Sequence, residues 1–198
     1  MTPPTARDRA KAERTDALIA AASTLFAQRG YSGSSLEEIG MAVGVSGPAV
    51  YRHFAGKQAL LGAVLVGVSE GLVRGGIAVA ESTPDPAARM RGLIGFHVDF
   101  ALGHPDVIRV QDRDVAHLAD DDRAEVRRLQ RAYIDLWITA LAALCDGSAD
   151  ELRLRVQACF GLINSTPHST RAPARTQEET ARVLAAMAYA ALLAAPGA

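Results

Sequence analysis

The sequence predicts an all-α fold of nine helices. Aromatic side chains make up only 5% of the 198 residues, and β-branched runs of strand length are scarce. Apolar residues instead recur three and four positions apart through stretches rich in Ala and Leu. Start and stop signals then divide the chain at helix-sized intervals.

Taken in order, the spacing predicts a first helix from about Lys11 to Arg29, with Leu18, Ala22, Leu25 and Phe26 as its buried stripe and Gly30 as its stop. Ser35-Leu-Glu-Glu38 is a capping-box start for a short second helix reaching about Ala42. Gly44 makes a turn, and Ser46 caps a third short helix ending near His53. A long fourth helix starts around Gly56. Thr83-Pro84 caps and opens the fifth, which ends near Gly103, and His104-Pro105 opens a short sixth. The acidic run Asp120-Asp121-Asp122 suits the N-terminus of the seventh, which continues to about Cys145. Ser148-Ala-Asp-Glu151 and Thr176-Gln-Glu-Glu179 start the eighth and ninth.

Charge is unevenly placed. The net charge is −1, but residues 1–57 carry seven basic side chains (Arg7, Arg9, Lys11, Arg14, Arg29, Arg52, Lys57) against five acids, leaving the remainder acidic. A mildly basic head on an acidic body suits contact with nucleic acid through one end. Cys145 and Cys159 lack metal-type spacing, and the N-terminal stretch has no apolar leader pattern. A reduced, cytoplasmic protein, neither secreted nor inserted in a membrane, is the expectation.

The segment from Ser35 to Leu61 has the physics of a helix-turn-helix. Leu36, Ile39 and Val43 give the first of its helices one apolar face, and Val45 plugs the junction. Val50 and Phe54 face the core, which leaves Gly47, Pro48, Tyr51 and Arg52 on the outer surface of a helix short enough to enter a major groove. Pro48 and Ala49 can touch a thymine methyl. Arg52 is the side chain able to make a bidentate contact with guanine, while Tyr51 and Lys57 suit phosphates. His53 fits packing and phosphate contact equally. Arg7, Arg9 and Lys11 read either as a solvated tail or as an arm toward a minor groove.

These residues resemble the TetR family of repressors. The family pattern, roughly T-x-x-x-I-A-x-x-A-G-V-S-x-G-x-L-Y-x-H-F-x-x-K-x-x-L, is met by Ser35, Ile39, Gly44, Val45, Ser46, Val50, Tyr51, His53, Phe54, Lys57 and Leu60. Gly40 and Val43 replace the usual alanines, and Pro48 stands where glycine or threonine is common. The resemblance implies a nine-helix TetR-like fold with a basic arm over 1–10, a DNA-binding head over 11–55 and a helical ligand-binding and dimerisation domain over 56–195. It implies a homodimer on a palindromic operator of double-stranded DNA, with Ser35, Ser46, Gly47, Pro48, Ala49, Tyr51, Arg52, His53 and Lys57 at the interface. Helices eight and nine then pair with their symmetry mates through Leu152, Val156, Ile163, Val183, Leu184, Met187 and Ala191.

The resemblance also implies a pocket for a small-molecule effector among the middle helices. Polar residues set in apolar stripes mark its candidates: Phe96, His97, Phe100, Arg109, Tyr133, Trp137, Phe160, Asn164 and His168. Stretches such as HVDFALGHP, VQDRD, LQRAYIDLW and FGLINSTPHS resemble an actinobacterial subgroup, some of whose members respond to acyl-CoA thioesters. An acyl chain would take the apolar pocket, with Arg109, Arg113, Arg127 or Arg128 toward CoA phosphates. No cofactor is expected. Two other readings stay open, a DNA-binding regulator that senses no small molecule and an enzyme. The sequence shows no zinc-protease, di-iron, nucleophile-elbow or phosphate-loop motif, and Asp114-x-x-His117 lacks metal-binding partners.

Overall fold

Local capping chemistry decides where most of the helices begin. In the computed structural model, which describes residues 5–165 and 176–194, the Ser35–Glu38 and Thr176–Glu179 boxes are both closed in each direction, and Ser148 accepts from the Glu151 amide. The described residues form nine α-helices: α1 (Ala6–Arg29), α2 (Leu36–Ala42), α3 (Gly47–Val50), α4 (Lys57–Ser82), α5 (Pro86–Gly103), α6 (Pro105–Asp114), α7 (Asp120–Ala142), α8 (Ala149–Asn164) and α9 (Gln177–Leu193). A single 3₁₀ turn, Val115–His117, follows α6. No strand occurs among the described residues.

Two helix starts and one cap differ from the sequence reading. Helix α1 starts at Ala6 because Thr5 and Asp8 form another capping box, so Arg7, Arg9 and Lys11 lie on a helix and not on a flexible arm. Helix α5 is capped by Asp85, whose carboxylate accepts from the Ala88 amide at 2.7 Å, with Pro86 in the first turn. Thr83-Pro84 therefore precedes the helix. Ser46 holds the N-cap position of α3, but its hydroxyl caps nothing.

Two apolar cores meet along α4. The first joins α1 to α3 (Leu18, Phe26, Ile39, Val50) with the first turns of α4 (Leu60, Leu61, Val64, Leu65) and takes in Val110 and Val126 from α6 and α7. The second is built from α5, α7, α8 and α9 around Met90, Leu93, Trp137, Leu141, Val156, Ile163 and Ala188. Helix α4 is long and apolar enough by composition to cross a membrane, with a mean hydropathy of 1.6 over its best window. In the fold it packs against α1, α5, α6 and α7. The head thus shares its core with the larger body, and α6 touches both α1 and α4.

Candidate nucleic-acid interface and ligand cavity

The α2–turn–α3 unit is held by close backbone approach. Gly44 adopts φ +69°, the left-handed conformation that turns the chain between the helices. Val45, 8% exposed, plugs the junction as expected, and its amide donates to the Gly40 carbonyl at 2.8 Å. A Cβ on Gly40 would lie 2.6 Å from the Val45 carbonyl oxygen and 2.7 Å from Val50 Cγ2. The departure of Gly40 from alanine therefore lets α2 and α3 approach more closely. Val50 and Phe54 are buried.

What remains outside is the surface expected to face DNA. Tyr51 is 54% exposed, and Arg52, Pro48 and Ser46 are exposed beside it. Gly47 and Ala49 are half-buried, and Ser35 is engaged in its own cap, accepting from the Glu38 amide. His53 is half-buried, with Nδ1 at 2.9 Å from the Thr15 hydroxyl. Since that hydroxyl also donates to the Lys11 carbonyl, the ring nitrogen is the donor of the pair. His53 thereby fixes α3 against α1.

Beside this surface lies a basic cleft lined by Arg7, Lys11, Arg14, Arg52 and His53, with Asp8 and Ala10. Arg7, Lys11 and Arg14 stand at i, i+4 and i+7, so helical spacing gathers them on one face of α1. That spacing was legible in the sequence once Thr5-x-x-Asp8 is recognised as a helix start. Lys57 points elsewhere. Its ammonium donates to the Tyr31 carbonyl at 2.7 Å and the Ser34 carbonyl at 2.8 Å, and stands 4.4 Å from the Tyr31 ring centre. In this structure it straps the α1–α2 loop to α4 and is turned away from the phosphate role expected of it.

In the body, a cavity of about 190 Å³ is lined by residues of α4 to α8, among them Leu72, His97, Phe100, Ile108, Tyr133, Phe160 and Asn164. Phe160 forms its aromatic floor, stacked on Tyr133 at 5.6 Å and lying 4.7 Å from His97. Trp137 stands behind, fully buried, edge-on to Phe160 at 4.8 Å. His97 Nε2 lies 3.2 Å from Asn164 Oδ1, while His97 Nδ1, Tyr133 Oη and Trp137 Nε1 are buried with no hydrogen-bond partner among the described residues. Three orphaned polar atoms in one apolar site are costly unless a bound group satisfies them. Burial holds the imidazole neutral, lowering its pKa to about 4, and pushes the Tyr133 phenol up.

Of the residues predicted for this pocket, Phe100, His97, Tyr133, Phe160 and Asn164 line it, and Trp137 backs it. Phe96 lines a neighbouring apolar groove of about 400 Å³ with Val68 and Gly71, which shares Leu72 and Phe100 with the cavity. Arg109 is not in the lining and pairs with Asp106 at 2.9 Å. Arg128 pairs with Glu125. Arg113 leaves the cavity altogether: its guanidinium donates to the Phe26 and Ala27 carbonyls at the end of α1 and to buried Asp114. His168 lies outside the described residues. Gln111 and Asp112, of the same VQDRD stretch, join the lining, as does Gln130 from α7.

On the outer helices the apolar stripe divides. Leu152, Val156 and Ile163 are buried in the protomer's own core, because that face of α8 packs inward. Leu154, 66% exposed, and the exposed Ala158 and Gly161 form the outward face of α8. On α9, Val183, Met187 and Ala191 are exposed, while Leu184 is half-buried against the second core.

Sequence comparison matches residues 18–64 to the family model "Bacterial regulatory proteins, tetR family" and residues 83–192 to "Tetracyclin repressor-like, C-terminal domain". The chain belongs to the TetR family. It is a transcriptional regulator and not an enzyme, as the family and its curated relatives are. The TetR-family relative "HTH-type transcriptional repressor KstR2" of Rhodococcus jostii (strain RHA1) is 28% identical over 151 residues, covering 75% of this chain and 74% of that protein. Among solved structures, a TetR-family regulator from Bordetella parapertussis 12822 superposes with a TM-score of 0.78 at 22% identity, covering 88% of this chain and 93% of that one. AibR, solved in complex with isovaleryl coenzyme A and operator DNA, gives a TM-score of 0.74 at 20% identity, covering 88% and 97%. These two likenesses carry the fold.

Proposed function

We propose that this TetR-family chain is a repressor that binds a palindromic operator as a homodimer in the cytoplasm and is released by a small apolar molecule held in the α4–α8 cavity. Arg52 reads a base in the major groove, Tyr51 and the cleft of Arg7, Lys11 and Arg14 hold phosphates, and Pro48 and Ala49 offer methyl contacts. With few hydrogen-bonding readers on α3, part of the specificity falls to DNA shape. The dimer forms through the outward faces of α8 and α9, where Leu154, Val183 and Met187 remain exposed on one protomer.

The observation that carries the regulated part is the double attachment of α6. It lines the cavity with Ile108, Gln111 and Asp112, and with the next residue, Arg113, it grips the C-terminal turn of α1. A ligand that favours one position of α6 therefore also favours one position of the reading head. The AibR complex, with both a coenzyme A ester and operator DNA, supports an effector role for the corresponding body.

The test uses a labelled duplex selected by the protein itself, titrated with small apolar compounds that raise the protein's melting temperature. At least one such compound lowers DNA affinity tenfold or more. Compounds that stabilise the protein yet never alter DNA binding reject the effector in favour of a regulator that senses nothing through this cavity.

A further inference from the structure

The polar inventory of the cavity restricts what can enter it. Of its described lining residues, Asp112 alone carries a charge, and no lysine or arginine is among them. Arg109 and Arg113, the nearest cations along α6, are directed to Asp106 and to α1. The available groups are Tyr133 Oη, whose hydroxyl proton meets no acceptor among the described residues, and the Asn164 amide, whose oxygen is taken by His97 Nε2 and whose N–H groups remain as donors. With Nε2–H donating, His97 Nδ1 is left as a bare acceptor. Among the described lining residues an anion placed here meets no cation, so burying its charge against Phe160, Leu72 and Ile108 is uncompensated by them.

We propose that the cavity takes the uncharged, oxygen-bearing end of an apolar molecule, a ketone, ester or amide carbonyl, on Tyr133 Oη and the Asn164 amide, and rejects the corresponding carboxylate. The remaining apolar body lies against Phe160 and extends past Leu72 and Phe100 into the groove beside Phe96. A cavity of about 190 Å³ is below the ~300–1,000 Å³ of a typical small-molecule site, and the adjoining groove supplies the difference. A hydroxyl or N–H next to the carbonyl finds its acceptor in His97 Nδ1. Burial supports the assignment by keeping both the phenol and the imidazole uncharged near neutral pH. The inference rests on the effector reading of this cavity.

Trp137, the one tryptophan in the chain, reports on the cavity from directly behind Phe160. Two pairs matched in carbon skeleton serve as probes, cyclohexyl methyl ketone with cyclohexylacetate and 2-octanone with octanoate, titrated near neutral pH while Trp137 fluorescence is followed. The ketones change the emission and bind at least tenfold more tightly than their carboxylates, and Tyr133→Phe weakens the ketones several-fold without unfolding the protein. Carboxylates that bind as tightly as the ketones overturn the head-group assignment and leave the effector reading intact. Silence from all four probes overturns it as well. Ketones that bind but never release operator DNA sustain the head-group chemistry and defeat the effector reading.

Discussion

His97→Gln separates the cost of burying a titratable ring from every other acid sensitivity of the protein. In the native state the His97 pKa is about 4, lowered from 6.5 chiefly by burial, with the Asn164 bond acting in the opposite direction. The unfolded chain therefore takes up a proton as pH falls through 6.5, and the folded chain does not until about 4. Stability present above the unfolded value is lost across that window, so the native state weakens as pH drops. Protonation linkage over these two values removes about 2 kcal/mol between about pH 7.5 and about pH 5. Urea unfolding of wild type and His97→Gln at both pH values gives the double difference, from which the carboxylates shared by both proteins cancel. The wild type should lose about 2 kcal/mol more than the variant. Equal losses would show that the ring is hydrated or already charged in the native state, and the dry, uncharged cavity would be wrong.

Three further substitutions probe the head and its link to the body. Gly40→Ala forces a methyl against the Val45 carbonyl and Val50, and should cost about 1–3 kcal/mol in unfolding free energy. It should also weaken sequence-specific DNA binding more than non-specific binding, because α3 is displaced. Lys57→Met keeps the apolar stem over Tyr31 but removes two charge-assisted hydrogen bonds, so denaturant titration should show a loss of about 2 kcal/mol. Its salt dependence of DNA binding should stay unchanged, and a normal fold with a shallower salt slope would return Lys57 to the phosphates. Arg113→Ala releases the end of α1 from α6. Ligand binding read by Trp137 should persist while the accompanying loss of DNA affinity shrinks, and undiminished release would place the coupling elsewhere.

What could be read from the sequence was what depends on near neighbours. The Ser35, Ser148 and Thr176 caps were evident because a hydroxyl and an acid three residues on suffice to define them. The α2–α3 frame was evident because burial at Ile39, Val45, Val50 and Phe54 follows from helical spacing around one turn. The aromatic cavity followed from polar residues set in apolar stripes. Partners distant in sequence were not legible. Lys57 is claimed by carbonyls 26 and 23 residues earlier, and Arg113 by carbonyls of α1 far up the chain. The stripe Leu152, Val156, Ile163 was correctly apolar, but periodicity does not say whether a face meets its own core or a second copy. It meets its own core, and the outward residues Leu154, Val183 and Met187 of α8 and α9 are exposed. Thr5-x-x-Asp8 was a readable cap that the neighbouring prolines obscured.

The central claim, that α3 with Arg52 reads operator DNA from a two-fold dimer, is tested most directly by selecting binding sites from random duplexes with the wild type and with Arg52→Ala. The account predicts a palindrome with half-sites about one DNA turn apart, and a loss of about 1–3 kcal/mol of discrimination at one base pair of each half-site in the variant. No enriched sequence, or an enriched site without two-fold symmetry that Arg52→Ala reads as well as the wild type, would contradict it.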